Sequence, residues 1–266
     1  EEMATLNQQR AVNSAAQDAA PATRTVAGAN VGGYGSYWLD GGDTVLSTGQ
    51  TSFVIDPPDG RAPIQQWALD AKAYNLANEG DHYQHLSVWD RCISRGVPGS
   101  MLPAGYNNAY RIAQTPDHIT IYHEMIHDAR IIPLSDTPFI DGSITQWMGD
   151  SRAHWDGDAL VVETKNFHNR GWVASSFAGG RIKGIPTSKA LHVMERFERV
   201  SEGIIMWTVT LEDPNVFTAP WTIQMPLTSE PGYQMFEYAC HEGNNAVPGT
   251  LGGQRVLDAA AATEEQ

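Results

Sequence analysis

The stretch ITIYHEMIHDARIIPL, residues 119–134, decides how this chain folds. It contains His123-Glu124-Met125-Ile126-His127, the H-E-x-x-H pattern that binds zinc when both histidines share one face of a helix and the glutamate serves as general base. The flanks argue for a strand. Ile119, Ile121, His123 and Met125 alternate with Thr120, Tyr122 and Glu124, and the following DARIIPL adds β-branched residues and a proline. On an unbroken strand the two histidines would stand about 13 Å apart, too far for one ion. A zinc-dependent hydrolase is therefore the weakest of the functional readings.

Outward from this stretch the same alternation continues. Strands are expected at about 108–115, 118–125, 128–134, 151–155, 159–166, 190–199, 203–212 and 234–240, with a shorter one at 51–55. Turns fall at Thr115-Pro116-Asp117, Asp156-Gly157-Asp158 and Ser201-Glu202-Gly203. In RAHWDGDALVVET, Asp156-Gly157 is expected to supply the positive φ angles of a tight hairpin turn. About eight strands must hide their edges, and closure into a barrel does so most completely. The expected fold class is mainly β: an antiparallel β-barrel with N-terminal helical and irregular segments. Residues 1–50 form a helix and extended arm, the helix at 3–20. Residues 51–245 form one barrel domain that includes a helix near 64–77, and 246–266 form a frayed helix or tail.

Thirty-one acidic against seventeen basic side chains give a formal charge of −14, a field that repels nucleic acid and anionic lipid. No apolar run approaches the roughly 18 residues of a membrane span. Two cysteines, Cys92 and Cys240, leave two readings: free buried thiols in a cytosolic protein, or a disulfide in an exported one. Few lysines and a Gln/Ala-rich N-terminal segment favour export to the periplasm or beyond, with any signal peptide already removed.

Histidine and carboxylate recur together three times in the β-rich half. The first group is His123, Glu124, His127, Asp128 and Arg130; the second Asp150, Arg152, His154, Trp155 and Asp158; the third His241, Glu242 and Asn244. Polar groups at alternating strand positions ordinarily face water, and Arg130 with Glu124 or Arg152 with Asp150 could be structural ion pairs. If the clusters converge in a barrel interior, they supply an acid, a base and an anion-binding fork, with Trp147 and Trp155 as stacking faces. The expected catalytic set is Glu124, His127, Arg130, Asp150, Arg152 and His154; the expected substrate-binding set is His123, Trp147, Trp155, His241 and Glu242. Ser151 is a weaker candidate nucleophile. No nucleophile elbow, P-loop or dinucleotide fingerprint occurs, so no cofactor is expected; a divalent metal held by histidine and carboxylate stays open.

The runs SFVIDPPDGRAPI, DRCISRGVPGSMLP, YRIAQTPDHITIYHEMIHDARIIPL, QWMGDSRAHWDGDALVVETKNF, LHVMERFERV, DPNVFTAPWT and FEYACHEGN resemble a large, mostly uncharacterised family of exported bacterial proteins. The resemblance spans roughly residues 50–250 and implies a calycin-like (lipocalin-type) antiparallel barrel, with little about activity. Together these features predict an exported lyase or hydrolase acting by general acid/base chemistry on a small organic substrate, glycan-derived or plant-aromatic. The alternative is a lipocalin-like protein that binds such a ligand without turnover. The expected partner is a small molecule or saccharide, with no nucleic acid and no membrane insertion, and a homo-oligomer is compatible.

Overall fold

The computed structural model describes residue 50 and residues 52–264. The helix expected at 3–20 and the irregular arm up to 49 lie outside the described residues.

Among the described residues nine strands and two α-helices follow in order: β1 (Val54–Asp56), α1 (Gln66–Ala77), β2 (Tyr110–Gln114), β3 (His118–His123), β4 (Ala129–Pro133), β5 (Asp150–Asp156), β6 (Ala159–Lys165), β7 (His192–Ser201), β8 (Ile204–Glu212), β9 (Trp221–Thr228) and α2 (Ala246–Glu264). All ladders between named strands are antiparallel. They form a six-stranded sheet, β1-β9-β8-β7-β6-β5, and a three-stranded sheet, β2-β3-β4. A single parallel bridge, Leu134 to Ala153, links the β4 end to β5, so two antiparallel meanders, β2–β4 and β5–β9, meet at that joint. Among the described residues no ladder joins β2 to β9, and the sheet is not closed by hydrogen bonds. The expected barrel is thus observed as two antiparallel sheets.

Alternation places one face of each strand inside. Ile119, Ile121 and Ile132 from the small sheet pack with Leu160, Val162, Val193, Phe197, Trp207, Val209, Ile223 and Met225 of the large one in a single buried cluster. At about 25 cal/mol per Å2 of apolar surface removed from water, such side chains contribute about 1.5–3 kcal/mol each.

The strand at 221–228 is absent from the sequence expectation because Pro220 and Pro226 demote it. The sheet tolerates Pro226 because β1 is short: it pairs at Thr222 and Ile223 and leaves the far half of β9 without a neighbour on that side. Conversely, 234–240 forms no strand. It runs as a strap bound through side chains and through the disulfide Cys92–Cys240, with S–S 2.07 Å. The β5–β6 hairpin turns tightly as expected, but its loop is Gly157-Asp158, with Asp156 paired to Ala159, and of the expected Asp156-Gly157 pair only Gly157 takes a positive φ (60°). The tail is a continuous 19-residue helix, α2, anchored where Arg255 donates to the carbonyls of Gly80 and Asp81. No helix among the described residues is long and apolar enough to cross a membrane.

Candidate functional site: a cleft between the sheets and the polar layer behind it

The H-E-x-x-H stretch is not a helix. β3 ends at His123, a 3-10 turn covers Met125–His127, and β4 begins at Ala129. Ile126 and His127 adopt φ of 66° and 42°, the left-handed region that a β-branched residue enters at a cost of about 1–2 kcal/mol. Burial of Met125 and Ile126 against Ala104, Trp89, Tyr106 and Tyr238 offsets that cost. The sharp reversal separates the two histidines: His123 is buried inside, while His127 is exposed with Nδ1 2.7 Å from the Tyr238 carbonyl. Among the described residues no three His, Cys, Asp or Glu side chains converge as metal ligands.

The same reversal buries Glu124 completely. Its carboxylate accepts hydrogen bonds from Asn107 Nδ2 and from Tyr233 Oη, the latter at 3.0 Å to Oε1 and 2.8 Å to Oε2. Both donors are neutral. Tyr233 belongs to the strap after β9, and its other side faces a cleft of about 610 Å3 where β2 and β9 fail to join. Asn108, Tyr110 and Arg111 form one wall, Met225 and Leu227 the other, and Glu230 and Tyr233 part of the rim. The volume falls in the range of small-molecule sites.

Behind Tyr110 lies a connected layer of inward-facing polar groups, one from each of seven successive strands. Tyr110 on β2 pairs in register with His123 on β3, their rings edge-on at 5.5 Å. Arg130 on β4 donates to Ser151 Oγ on β5 (Nε 3.2 Å, Nη2 3.1 Å) and to Thr164 Oγ1 on β6 (2.7 Å). Its Nη2 also lies 2.5 Å from Glu195 Oε2 on β7, and Glu195 Oε1 accepts from Trp207 Nε1 on β8 at 3.2 Å. Ser151, the weaker candidate nucleophile, is thus a ligand of Arg130.

Burial, reinforced by the charges of Arg130 and Arg95, pushes the His123 imidazole down to about 3. An exposed histidine titrates near 6.5. Between these values the unfolded chain takes up a proton that the native protein refuses. This contribution to stability is complete above about pH 6.5 and is lost as pH falls toward 3, at up to about 1.4 kcal/mol per pH unit. Urea unfolding from pH 7 to 4 should show this slope, and His123→Phe should flatten it. Parallel profiles for the two proteins would show that His123 does not titrate in this way.

The structure does not bring the six expected catalytic residues together. Glu124 and Arg130 are both interior but bond different groups, Asn107 and Tyr233 for the first and Ser151, Thr164 and Glu195 for the second, and His127 is outside. Asp150, Arg152 and His154 gather on the outer side of β5. Arg152 Nη1 donates to Asp150 Oδ1 at 2.6 Å, and its other nitrogens hold the carbonyls of Thr137 and Pro138 at 3.1 and 2.9 Å, so it fastens the loop before β5. His154 shares a shallow hollow with Arg152 and Glu163. Of the expected binding residues, Trp147 stacks on His168 at 4.4 Å, and His241 and Glu242 are exposed beyond the disulfide. Trp155 rims a separate apolar hollow of about 270 Å3, lined by Ile119, Ile121, Leu160 and Phe197.

Sequence reasoning overlooked Asn107, Tyr110, Tyr233, Glu195, Thr164 and Arg95. For two of these the signal existed. Val193-Glu195-Phe197 and Val162-Thr164 each place a polar residue at the inward parity of an apolar strand. Tyr233 had none, because the strap is irregular.

No protein-family model matches the chain, and no curated protein matches it.

Proposed function

We propose that the cleft between β2 and β9 is the active site of an exported enzyme, a lyase or hydrolase that works by general acid/base chemistry on a small organic molecule. The single observation that carries this reading is the Tyr233–Glu124 pair: a phenol on the cleft wall donates to both oxygens of a fully buried carboxylate. Tyr233 Oη can take a proton from a bound molecule as its own proton passes to Glu124, and the reverse step returns it. Asn107 holds the carboxylate in place during both steps. A glycan-derived or plant-aromatic substrate suits the mixed apolar and hydrogen-bonding wall. The disulfide supports export, as does the resemblance to exported bacterial proteins, and the two antiparallel meanders packed on one core support a calycin-like, incompletely closed barrel.

Incubating the protein with a panel of aryl glycosides, uronate oligosaccharides and lactones, read by mass spectrometry, should reveal turnover that Tyr233→Phe lowers by about 100-fold or more. Retention of full turnover in Tyr233→Phe would remove the phenol from the mechanism. The second reading, a binding protein without turnover, is favoured by the apolar hollow beside Trp155 and by the internal pairing of Glu195 with Arg130. Tight binding of a panel member with no product would select it.

A further inference from the structure

The inner faces of the two sheets carry apolar side chains that the core leaves uncovered. Residues directly opposite on neighbouring antiparallel strands share a face. Across the large sheet the register therefore lines up Trp155 on β5, Leu160 on β6, Phe197 on β7, Trp207 on β8 and Met225 on β9 as one inner row. The row is buried from Leu160 to Met225, yet Trp155 at its β5 end is 46 % exposed. On the small sheet Ile112 of β2 stands opposite the buried Ile121 of β3 and is itself 41 % exposed. Inward apolar groups left in water forgo the stabilisation that the rest of the row gains, and such a patch marks a binding surface.

Two cavities adjoin over these side chains. Trp155, Leu160 and Phe197 line the hollow of about 270 Å3, with Ile112 and Ile205 beside them. The other end of the row, Met225, lines the β2/β9 cleft together with Leu227. Ile112 lines both cavities. Across from it, Ile205 in the hollow is the direct cross-strand partner of Leu227 in the cleft, a pairing that sets Cβ atoms about 5 Å apart. Among the described residues no ladder between β2 and β9 walls one space from the other.

The linings differ in chemistry. The cleft presents hydrogen-bonding groups on Asn108, Arg111, Glu230 and Tyr233. The hollow presents two aromatic side chains and aliphatic ones, and its charged residues, Asp158 and Arg199, are one of each sign. A dry cavity of roughly 150 Å3 admits benzene, so the hollow has room for two fused rings.

We propose that cleft and hollow form one bipartite site, in which the cleft holds the polar end of a ligand and the hollow holds an uncharged aromatic group attached to it. Ile112 is the threshold between the two parts, and Trp155 is a specificity-determining residue that packs on the ligand ring. The substrate class is thereby an aryl compound of one or two rings with a polar arm. This rests on the cleft being a ligand site, as proposed above, and is independent of the Tyr233–Glu124 proton step.

The test uses 2-naphthylmethanol as probe on the full protein with carbon-13-labelled isoleucine and leucine methyl groups. Nuclear Overhauser contacts should join the naphthyl ring protons to the methyls of Leu160 and Ile112, and the methylene of the alcohol arm to those of Leu227. Trp155→Ala should weaken binding at least tenfold, whereas Tyr233→Phe should leave it unchanged. Ring contacts to Leu227 without any to Leu160, ring contacts to Leu160 without any from the arm to Leu227, no binding, or undiminished affinity in Trp155→Ala would each overturn the proposal. The wild-type contacts decide the matter even if Trp155→Ala does not fold. The full set of contacts together with full turnover in Tyr233→Phe would sink the proton-transfer mechanism and leave the bipartite site standing.

Discussion

Removing the disulfide, as Cys92→Ala with Cys240→Ala, should lower the unfolding free energy by about 5 kcal/mol. The two cysteines are separated by 148 positions, and the chain-entropy model assigns a long closed loop the largest gain from cross-linking. The native-state effect is local. Cys240 ends the strap that carries Tyr233 to Glu124 and Tyr238 to His127, and that strap has no sheet ladder of its own. Hydrogen exchange across 229–240 should therefore accelerate more than exchange in β6–β8. Urea unfolding of the variant checks the first part. A loss below about 1 kcal/mol, or uniform acceleration of exchange, would show that side-chain contacts alone fix the strap.

The interior ion pair gives the second large effect. Arg130→Met or Glu195→Leu alone should destabilise by about 3–5 kcal/mol, because each leaves an opposite charge buried without its partner. Both residues are almost wholly buried, so water screens little of the loss. The double variant should cost far less than the two single losses added, since an apolar pair of similar volume no longer has a charge to solvate. Ser151 and Thr164 would keep each other as partners, their hydroxyls lying 3.0 Å apart. Additive losses in a double-mutant cycle would mean that the two side chains act through packing and not through charge.

Much of the strand pattern was legible because period-two alternation is a direct consequence of the pleat, and 118–123, 129–133, 159–165 and 204–212 carry it cleanly. Closure was not legible. Whether β2 meets β9 depends on Pro226 and on the strap, neither of which alternation reports. The site was legible only in part. Glu124 and Arg130 stand out in the sequence, yet alternation could not say that a left-handed turn at Ile126 and His127 would bury Glu124 and expel His127. Asp150, Arg152 and His154 look chemically rich because they are close along the chain; in the sheet Arg152 and His154 point away from the core, while Ser151 and Ala153 point into it. Tyr233 and Asn107 reach Glu124 from 109 and 17 positions away, distances over which sequence pattern carries no information.

The central proposal is that the proton passes between Tyr233 on the β2/β9 cleft and the buried Glu124 behind it, and not through the outer cluster on β5. Its most direct test is the turnover rate of Glu124→Gln beside that of His154→Ala, measured on the panel compound that the wild-type protein converts fastest. The account predicts a loss of about 100-fold or more for Glu124→Gln and an unchanged rate for His154→Ala. The reverse pattern, with His154→Ala inactive and Glu124→Gln intact, would contradict it.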